Sequence, residues 1–218
     1  MVRKSKKDSS NAYIIWGIIV LIVVFFISFF FFRSLGTIEY EGLTFTKERV
    51  GEITVYHYYY IYADKAGELV QNNIYLRINP KKNDIPVEGD QITYLPRRFT
   101  YVSINTTALE QCSQSSVAIS EISSFLANGG LQVRGAIMEN RTDLGNATRY
   151  VTCETDPYSM VIQLNSGNES KITADSLCYN IQFSDCDDVL PAAEKFIVES
   201  ILDAKEANSR TNSISFAN

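Results

Sequence analysis

The only histidine of the chain, His57, would have to serve any Ser-His or Cys-His catalytic pair. It lies between Tyr56 and Tyr58 in a segment of aromatic and β-branched residues, which predicts the interior of a β-strand. The sequence contains no nucleophile motif of the GxSxG type. We therefore expect His57 to be structural and expect no catalytic residues.

A group of aspartates is a candidate for metal binding, because carboxylate oxygens are the ligands that Ca²⁺ prefers. The group comprises Asp185, Asp187 and Asp188, with Asp175 as a further member. Its spacing does not match an EF-hand loop, and the helix dipole stabilises carboxylates at the start of a helix. We expect helix capping here, and hence neither a metal nor a cofactor.

A tyrosine-rich strand offers a possible binding face. Side chains alternate along a strand, so the segment "YHYYYIY" separates into two faces, one of which we expect in the core. Where tyrosine rings are exposed, their large contact area and polar hydroxyl suit stacking on sugars or on a protein partner. The candidate binding face comprises Tyr56, Tyr58, Tyr60 and Tyr62, and the opposite face comprises Val55, His57, Tyr59 and Ile61.

The four cysteines predict two disulfide bonds, because their number is even and no CxxC metal motif is present. Of the three possible connectivities, we expect Cys178 to pair with Cys186, since these two enclose one predicted strand and its following turn. Cys112 then pairs with Cys153. Disulfides form in oxidising compartments, which indicates an extracytoplasmic domain.

Four Asn-X-Ser/Thr sequences are candidates for N-linked glycans. They are Asn105, Asn140, Asn146 and Asn168. Asn140 and Asn146 share the polar stretch "ENRTDLGNATR", which predicts one protruding loop. A chain so rich in Asn, Ser and Thr also produces such sequences by chance, so which of them carry glycans stays open.

The segment 13–32 contains twenty consecutive residues without a charge. A helix of this length extends about 30 Å, which matches the hydrocarbon core of a bilayer. It lacks the polar stripe that a helix in a soluble core would show. Because positive residues precede the segment, the positive-inside rule predicts a cytoplasmic tail over 1–12 and a single-pass plasma-membrane protein with residues after 32 outside.

Removal as a signal peptide is the alternative to a permanent anchor. The apolar part of a signal peptide is typically about 7–15 residues long, which is shorter than this segment. Ser34, Leu35 and Gly36 nevertheless have the small-x-small pattern of a cleavage site. We favour the anchor and leave cleavage after Gly36 open.

The charge distribution narrows the class of partners. Residues 1–12 carry a net charge of +3, so the −5 of the whole chain leaves −8 for the remainder. An acidic domain lacks the clustered Lys and Arg that phosphate backbones require, which argues against nucleic acid. The expected partners are the membrane and a protein or glycan.

Residues 33–205 are sufficient for one α+β domain, with a β-rich part over 37–104 and an α/β part over 105–205. Strand 99–104, helix 108–127 and strand 131–138 form a predicted right-handed βαβ unit. Strands 160–165 and 170–174 form a predicted hairpin, and a helix with one apolar stripe follows near the C-terminus. Residues 206–218 are polar and aperiodic, which predicts a disordered tail.

The segments "IYLRINPKKNDIPVEGD" and "VLPAAEKFIVESILDAK", behind an uncleaved anchor, resemble uncharacterised single-pass membrane-anchored surface proteins of small-genome archaea. The resemblance covers most of the chain and contains no recognised catalytic motif. It implies a compartment and an architecture but no assigned function.

These features predict a membrane-anchored extracytoplasmic protein of structural or interaction type, and not an enzyme. One alternative is an accessory subunit of a larger membrane complex. A weaker alternative is a membrane-tethered hydrolase, because two carboxylates roughly 5–10 Å apart across a cleft can cleave glycosides without a histidine.

We predict that protease added outside intact cells degrades residues 37–205 and leaves a short membrane-embedded fragment. The physical reason is that Lys4, Lys6 and Lys7 hold the N-terminus in the cytoplasm. Immunoblotting of the full chain with an N-terminal tag measures the fragment. Protection of residues 37–205 in intact cells would show that the orientation is wrong.

Overall fold

The computed structural model describes the backbone over residues 8–63, 68–95, 98–141 and 149–214, and side chains over 13–28, 36–61, 68–95, 98–141 and 149–209. Within these ranges the chain forms an α+β fold with a C-terminal helix, as predicted, and its strands form two β-sheets. The helices are α1 (Asp8–Leu35), α2 (Thr106–Leu109), α3 (Ser115–Asn128) and α4 (Val189–Ile214). The strands are β1 (Thr37–Tyr40), β2 (Leu43–Val50), β3 (Ile53–Ala63), β4 (Leu69–Leu76), β5 (Val87–Gly89), β6 (Phe99–Ile104), β7 (Gln132–Ile137), β8 (Met160–Ser166), β9 (Lys171–Asp175) and β10 (Cys178–Phe183).

Helix α1 contains the apolar segment and leads into β1 through Gly36. Its side chains from Tyr13 to Ile27 are exposed. Among the residues whose side chains are described, no helix has both the length and the apolar character needed to cross a membrane. Residues 29–32 of the predicted span lie outside the described side chains.

The first four strands form an antiparallel sheet in chain order, β1-β2-β3-β4, termed the meander sheet. Gly42 in the turn between β1 and β2 has a φ of +75°, a conformation that favours glycine. The face that contacts the helices is apolar and includes the buried residues Leu43, Phe45, Ile74 and Leu76.

The other six strands form a mixed sheet in the order β5-β9-β10-β8-β6-β7. Strands β10, β8, β6 and β7 are parallel, β9 is antiparallel to β10, and β5 is parallel to β9. The parallel pair β6 and β7, joined by α3, confirms the predicted βαβ unit, but the single helix predicted over 108–127 is divided into α2 and α3. Strands β8 and β9 are not neighbours, because β10 lies between them, so the predicted hairpin over 160–174 was wrong.

Helices α3 and α4 lie between the two sheets. Helix α4 packs on β9 and β10 of the mixed sheet, while Lys195 Nζ on its other side donates to the Tyr40 hydroxyl of β1 at 2.8 Å. Every residue from Ala192 to Val198 is buried. Helix α4 is therefore covered by a sheet on both sides.

Glu194 attaches the meander sheet to α4. Its two carboxylate oxygens accept hydrogen bonds from the backbone N–H groups of Arg77 and Ile78, at 2.6 and 2.8 Å. Those two residues directly follow β4, and the Glu194 side chain is buried. A buried carboxylate is tolerated here because both of its oxygens have donors.

Both disulfide bonds are present, but the predicted pairing was wrong. The structure joins Cys112 to Cys186 and Cys153 to Cys178, with Cα–Cα distances of 4.9 and 5.4 Å. Cys178 begins β10 and Cys186 follows that strand. An extended strand of this length separates its ends by roughly 17 Å, whereas a disulfide requires Cα atoms within about 7 Å.

Parallel strand pairing explains the observed connectivity. Strands β6, β8 and β10 run in the same direction, so like ends meet at the same edge of the sheet. Cys112 follows β6 and Cys186 follows β10, which places both at the C-terminal edge. Cys153 precedes β8 and Cys178 begins β10, which places both at the N-terminal edge. Cys112 and Cys153 therefore lie at opposite edges and cannot pair.

Helix α4 continues to Ile214, so residues 206–214 of the predicted disordered tail are helical. Residues 204–207, Ala-Lys-Glu-Ala, are strong helix formers and extend the buried helix without a break. Lys205 Nζ also donates to the Gly42 carbonyl of the meander sheet at 2.8 Å. Residues 215–218 lie outside the described residues.

We predict that non-reducing peptide mapping of the full chain recovers Cys112 linked to Cys186 and Cys153 linked to Cys178. Replacing both cysteines of a pair with serine should cost about 4 kcal/mol for the first pair and about 3 kcal/mol for the second, because the first closes the longer loop. The sequence separations are 74 and 25 residues. Recovery of a peptide linking Cys178 to Cys186 would contradict the strand order.

Candidate functional site

The tyrosine face of β3 lies against the helix layer. Tyr56, Tyr58 and Tyr60 are partly buried and pack against the main core, and the Tyr58 ring lies 5.3 Å from the ring of Phe45. The side chain of Tyr62 lies outside the described residues. The tyrosines are thus not an open stacking surface, and any ligand has to reach them between the sheet and the helices.

A cavity of about 540 Å³ provides such access between β3 and the helices α3 and α4. It is termed the tyrosine cavity. Its walls are mainly aromatic and aliphatic, which is typical of small-molecule sites. The lining residues are Tyr58, Tyr60, Ile61, Tyr94, Phe125, Leu126, Gly129, Leu131, Ser200, Ile201, Ala204, Lys205, Asn208 and Ser209.

The phenols of Tyr58 and Tyr94 are neutral at physiological pH. Burial raises the pKa of Tyr94 far above its usual value of 10.0. Burial, with a smaller contribution from neighbouring Tyr59, also raises the pKa of Tyr58. The rings of Tyr58 and Tyr94 therefore each retain a neutral hydroxyl able to donate a hydrogen bond.

Asn72 fixes the position of Tyr60. Its Nδ2 donates to the Tyr60 hydroxyl at 3.0 Å and to the backbone carbonyl of Asn128 at 2.9 Å. Asn128 is the last residue of α3, so one buried amide connects β3, β4 and α3. This connection holds the meander sheet at a defined distance from the C-terminal end of α3.

A second cavity of about 260 Å³ lies between β4 and α3 and is termed the polar pocket. Among the described strands, β4 is at an edge of the meander sheet, so no strand fills the space between it and α3. Tyr60 and Phe125 line both cavities. The other lining residues are Asn72, Asn73, Ile74, Tyr75, Leu76, Ser120, Glu121, Ser124, Asn128 and Ile197.

Glu121 is the acidic group of the polar pocket. Burial raises its pKa from 4.5 to about 7, and the nearby Arg77 opposes this shift. Arg77 Nε lies 3.9 Å from Glu121 Oε1, which is too long for a hydrogen bond. Glu121 Oε2 is buried and has no hydrogen-bond partner among the described residues. A ligand group that donates hydrogen bonds would supply the hydrogen bond that Oε2 lacks among the described residues.

Glu194 lies close enough to Glu121 for their charges to interact. Burial raises the pKa of Glu194 to about 8, although the hydrogen bonds from the N–H groups of Arg77 and Ile78 oppose the shift. The charge of Glu121 raises the pKa of Glu194 further. Two carboxyl groups thus share the single guanidinium of Arg77, and both hold a proton more tightly than exposed glutamates do.

His57 lies on the outer face of the meander sheet and lines neither cavity, although its neighbours Asn73 and Tyr75 also line the polar pocket. Its Nδ1 is 2.8 Å from Glu48 Oε1, and its Nε2 is 3.1 Å from Asn73 Oδ1. Its ring stacks on Tyr75 with ring centroids 4.6 Å apart. None of these partners is a serine or a cysteine, and the contacts account for the histidine by packing and hydrogen bonding between strands.

The aspartate group caps the turn before α4. Asp185 accepts a hydrogen bond from the backbone N–H of Asp187 at 2.8 Å, and Asp188 accepts hydrogen bonds from the Ser170 and Ser184 hydroxyls. No group of three or more His, Cys, Asp or Glu side chains suited to a metal ion occurs among the described residues. Asp175 instead lies in β9 and contacts the Ser176 hydroxyl.

The candidate glycosylation residues differ in their surroundings. Asn168 and Asn140 are exposed. Asn105 is half-buried, and its Oδ1 accepts a hydrogen bond from the Ala108 N–H, so it caps α2. Asn146 lies outside the described residues.

Sequence reasoning did not identify several residues of the two cavities, because no motif marks them. Tyr94 lies in irregular chain between β5 and β6. Glu121 and Phe125 lie beside the apolar stripe of α3 rather than within it. The one sequence feature that could have indicated the polar pocket is the carboxylate of Glu121 beside the apolar stripe of α3, and this feature is weak.

Comparisons of the chain with protein-family models, with curated proteins and with solved structures find no match. The two cavities are therefore interpreted from their own geometry.

We predict that the free energy of unfolding decreases as the pH rises from about 5 to about 8. The folded-state pKa values of Glu194 and Glu121 are about 8 and about 7, above their ordinary 4.5. The folded protein therefore holds protons that the unfolded chain has released, and this stability, complete below pH 4.5, is lost as the pH rises through the folded pKa values. For Glu194 the loss is on the order of 4 kcal/mol at pH 8. Urea denaturation of the full chain in detergent measures it.

Glu194→Gln should lose most of this pH dependence. Glu110→Gln, at an exposed glutamate that follows α2, is the matched control and should retain it. Equal wild-type stability at pH 5 and pH 8 would refute the buried, protonated state of these carboxyl groups.

Proposed function

We propose that the chain is a membrane-anchored extracytoplasmic protein of interaction type that binds an apolar or aromatic ligand in the tyrosine cavity. The cavity is the observation behind this proposal: about 540 Å³ between β3 and the helix layer. Its size and composition fall in the range of ordinary ligand sites. Tyr58, Tyr60, Tyr94 and Phe125 offer ring faces on which an apolar or ring-shaped group can stack.

Membrane anchoring is the second part of the proposal. It is supported by the twenty uncharged residues of segment 13–32, by the positive charge that precedes them, and by the exposed side chains from Tyr13 to Ile27. The two disulfide bonds fit an oxidising, extracytoplasmic location. Because only Gly36 separates α1 from β1, the meander sheet would begin directly at the plasma-membrane surface.

A binding role is favoured over catalysis by what the candidate catalytic groups do. His57 is hydrogen-bonded between two strands, and the aspartate group supports the start of α4. Neither His57 nor the aspartate group lines the tyrosine cavity or the polar pocket. The proposed partners are the membrane and a ligand or protein, with no role for nucleic acid.

An accessory subunit of a membrane complex is the second candidate function. The outer face of the meander sheet favours it, because large apolar side chains are exposed along β2, β3 and β4 on that face. These side chains are Val50, Ile53, Tyr59, Ile61, Leu69 and Tyr75. A subunit would bring a protein partner in stoichiometric amount when it is isolated in mild detergent.

We predict that indole binds the tyrosine cavity of the full chain in phosphatidylcholine nanodiscs. The expected result is a saturable shift of the Ile201 and Leu131 methyl resonances, because both side chains line the cavity. Ala204→Trp should abolish the shifts, since the added ring fills the same space from α4.

Ala207→Trp is the matched control, because it places the same ring on an exposed position of α4 and should leave binding intact. Methyl groups on the other side of the mixed sheet, such as those of Val161, should not shift. Unsaturable shifts, or shifts that persist in Ala204→Trp, would remove the support for a ligand site in this cavity.

A further inference from the structure

The polar pocket has no part in the proposed function, yet its chemistry is selective. It lies between β4 and α3, apart from the tyrosine cavity except for the shared rings of Tyr60 and Phe125. Its volume of about 260 Å³ suits a compact ligand rather than an extended one. Polar groups converge on it from two elements, with Asn72 from β4 and Ser120 and Ser124 from α3.

The carboxylate of Glu121 is the feature that identifies a ligand class. Its Oε2 is buried without a hydrogen-bond donor among the described residues, and its Oε1 has only the distant Arg77 Nε at 3.9 Å. A buried acceptor without a donor costs about 1–3 kcal/mol. A ligand that supplies N–H donors would recover this cost, and a cationic donor would recover the most.

The ring of Phe125 is placed to contact the same ligand. Phe125 follows Glu121 by four residues on α3, so the two side chains lie on one face of the helix. Tyr60 from β3 provides a second ring in the pocket. Aromatic faces attract ammonium groups and also pack against the apolar group that bears them.

We propose that the polar pocket binds a primary amine carried on a small apolar group. The ammonium donates hydrogen bonds to the Glu121 carboxylate, and the apolar group packs against Tyr60 and Phe125. An anionic ligand is disfavoured, because the ionised carboxylate of Glu121 would repel it.

The charged groups around Glu121 give the site a defined pH dependence. Arg77 faces it from the end of β4, and Glu194 faces it from α4. The pKa of Glu121 is about 7, so the fraction that is ionised and can bind an ammonium rises across neutral pH. The affinity for an amine should therefore increase about thirtyfold between pH 5.5 and pH 8.5.

The test uses the full chain in phosphatidylcholine nanodiscs and three probes of similar size: phenethylamine, neutral 2-phenylethanol and anionic 3-phenylpropionate. Binding is followed through the methyl resonances of Ile74 and Ile197, which line the polar pocket, and of Ile201 and Leu131, which line the tyrosine cavity. We expect phenethylamine to shift Ile74 and Ile197 with the stated pH dependence. The alcohol and the acid should bind there at least tenfold more weakly.

Glu121→Gln should weaken phenethylamine binding at the Ile74 and Ile197 resonances by at least tenfold at pH 8.5 and remove the pH dependence. Glu199→Gln is the matched control, because it removes a carboxylate from α4 that pairs with Lys195 instead of lining either cavity. It should bind phenethylamine as the wild type does. The response of Ile201 and Leu131 to indole should be unchanged in both variants, which also reports that they are folded.

Equal shifts from phenethylamine and 2-phenylethanol would overturn the proposal, as would undiminished amine binding in Glu121→Gln. Shifts confined to Ile201 and Leu131 would also overturn it and would assign the amine to the tyrosine cavity. Loss of indole binding with retained amine binding at Ile74 would refute the proposed function while leaving the amine site intact.

Discussion

The fold depends on a helix that is buried from both sides. Residues 192–198 of α4 are enclosed by the mixed sheet and the meander sheet, and Glu194 and Lys195 are the two charged side chains in that stretch. Both side chains hold the meander sheet by hydrogen bonds. Glu194 accepts hydrogen bonds from the backbone N–H groups that follow β4, and Lys195 donates one to the Tyr40 hydroxyl. Hydrophobic burial brings the layers together without direction, whereas these two side chains determine where the meander sheet sits on the helix.

The cavities follow from the way in which this sheet is held. Its described polar contacts with the helices lie at the end of β4, at β1 and its following turn, and at Asn72. Between these points β3 carries tyrosine side chains towards the helices. Because these rings are longer than leucine or valine side chains, the strand backbone lies farther from the helices and space remains between them. The resulting space is lined by rings on one side and by helix residues on the other, and the proposed binding function is based on it.

The disulfide bonds act on the other sheet. One bond connects the chain after β6 to the chain after β10, and the other connects the segment before β8 to the start of β10. They therefore link both ends of the parallel strands, which are long-range pairings that form at a high entropic cost. The mixed sheet is thus stabilised covalently, whereas the meander sheet is held on the helices by side-chain contacts.

The sequence by itself determined the class of fold, the βαβ unit, the presence of two disulfides and the existence of the apolar N-terminal segment, since each follows from local periodicity, cysteine number or composition. It did not determine which cysteines pair, because the insertion of β10 between β8 and β9 is a long-range choice that no local pattern encodes. Nor did it determine which face of β3 is buried, because both faces of "YHYYYIY" are aromatic. Periodicity shows that an element has two different faces, but only the packing of distant elements decides what covers each one. For the same reason Glu121 and Asn72 became recognisable as site residues only when α3 and β4 were seen on either side of an unfilled space.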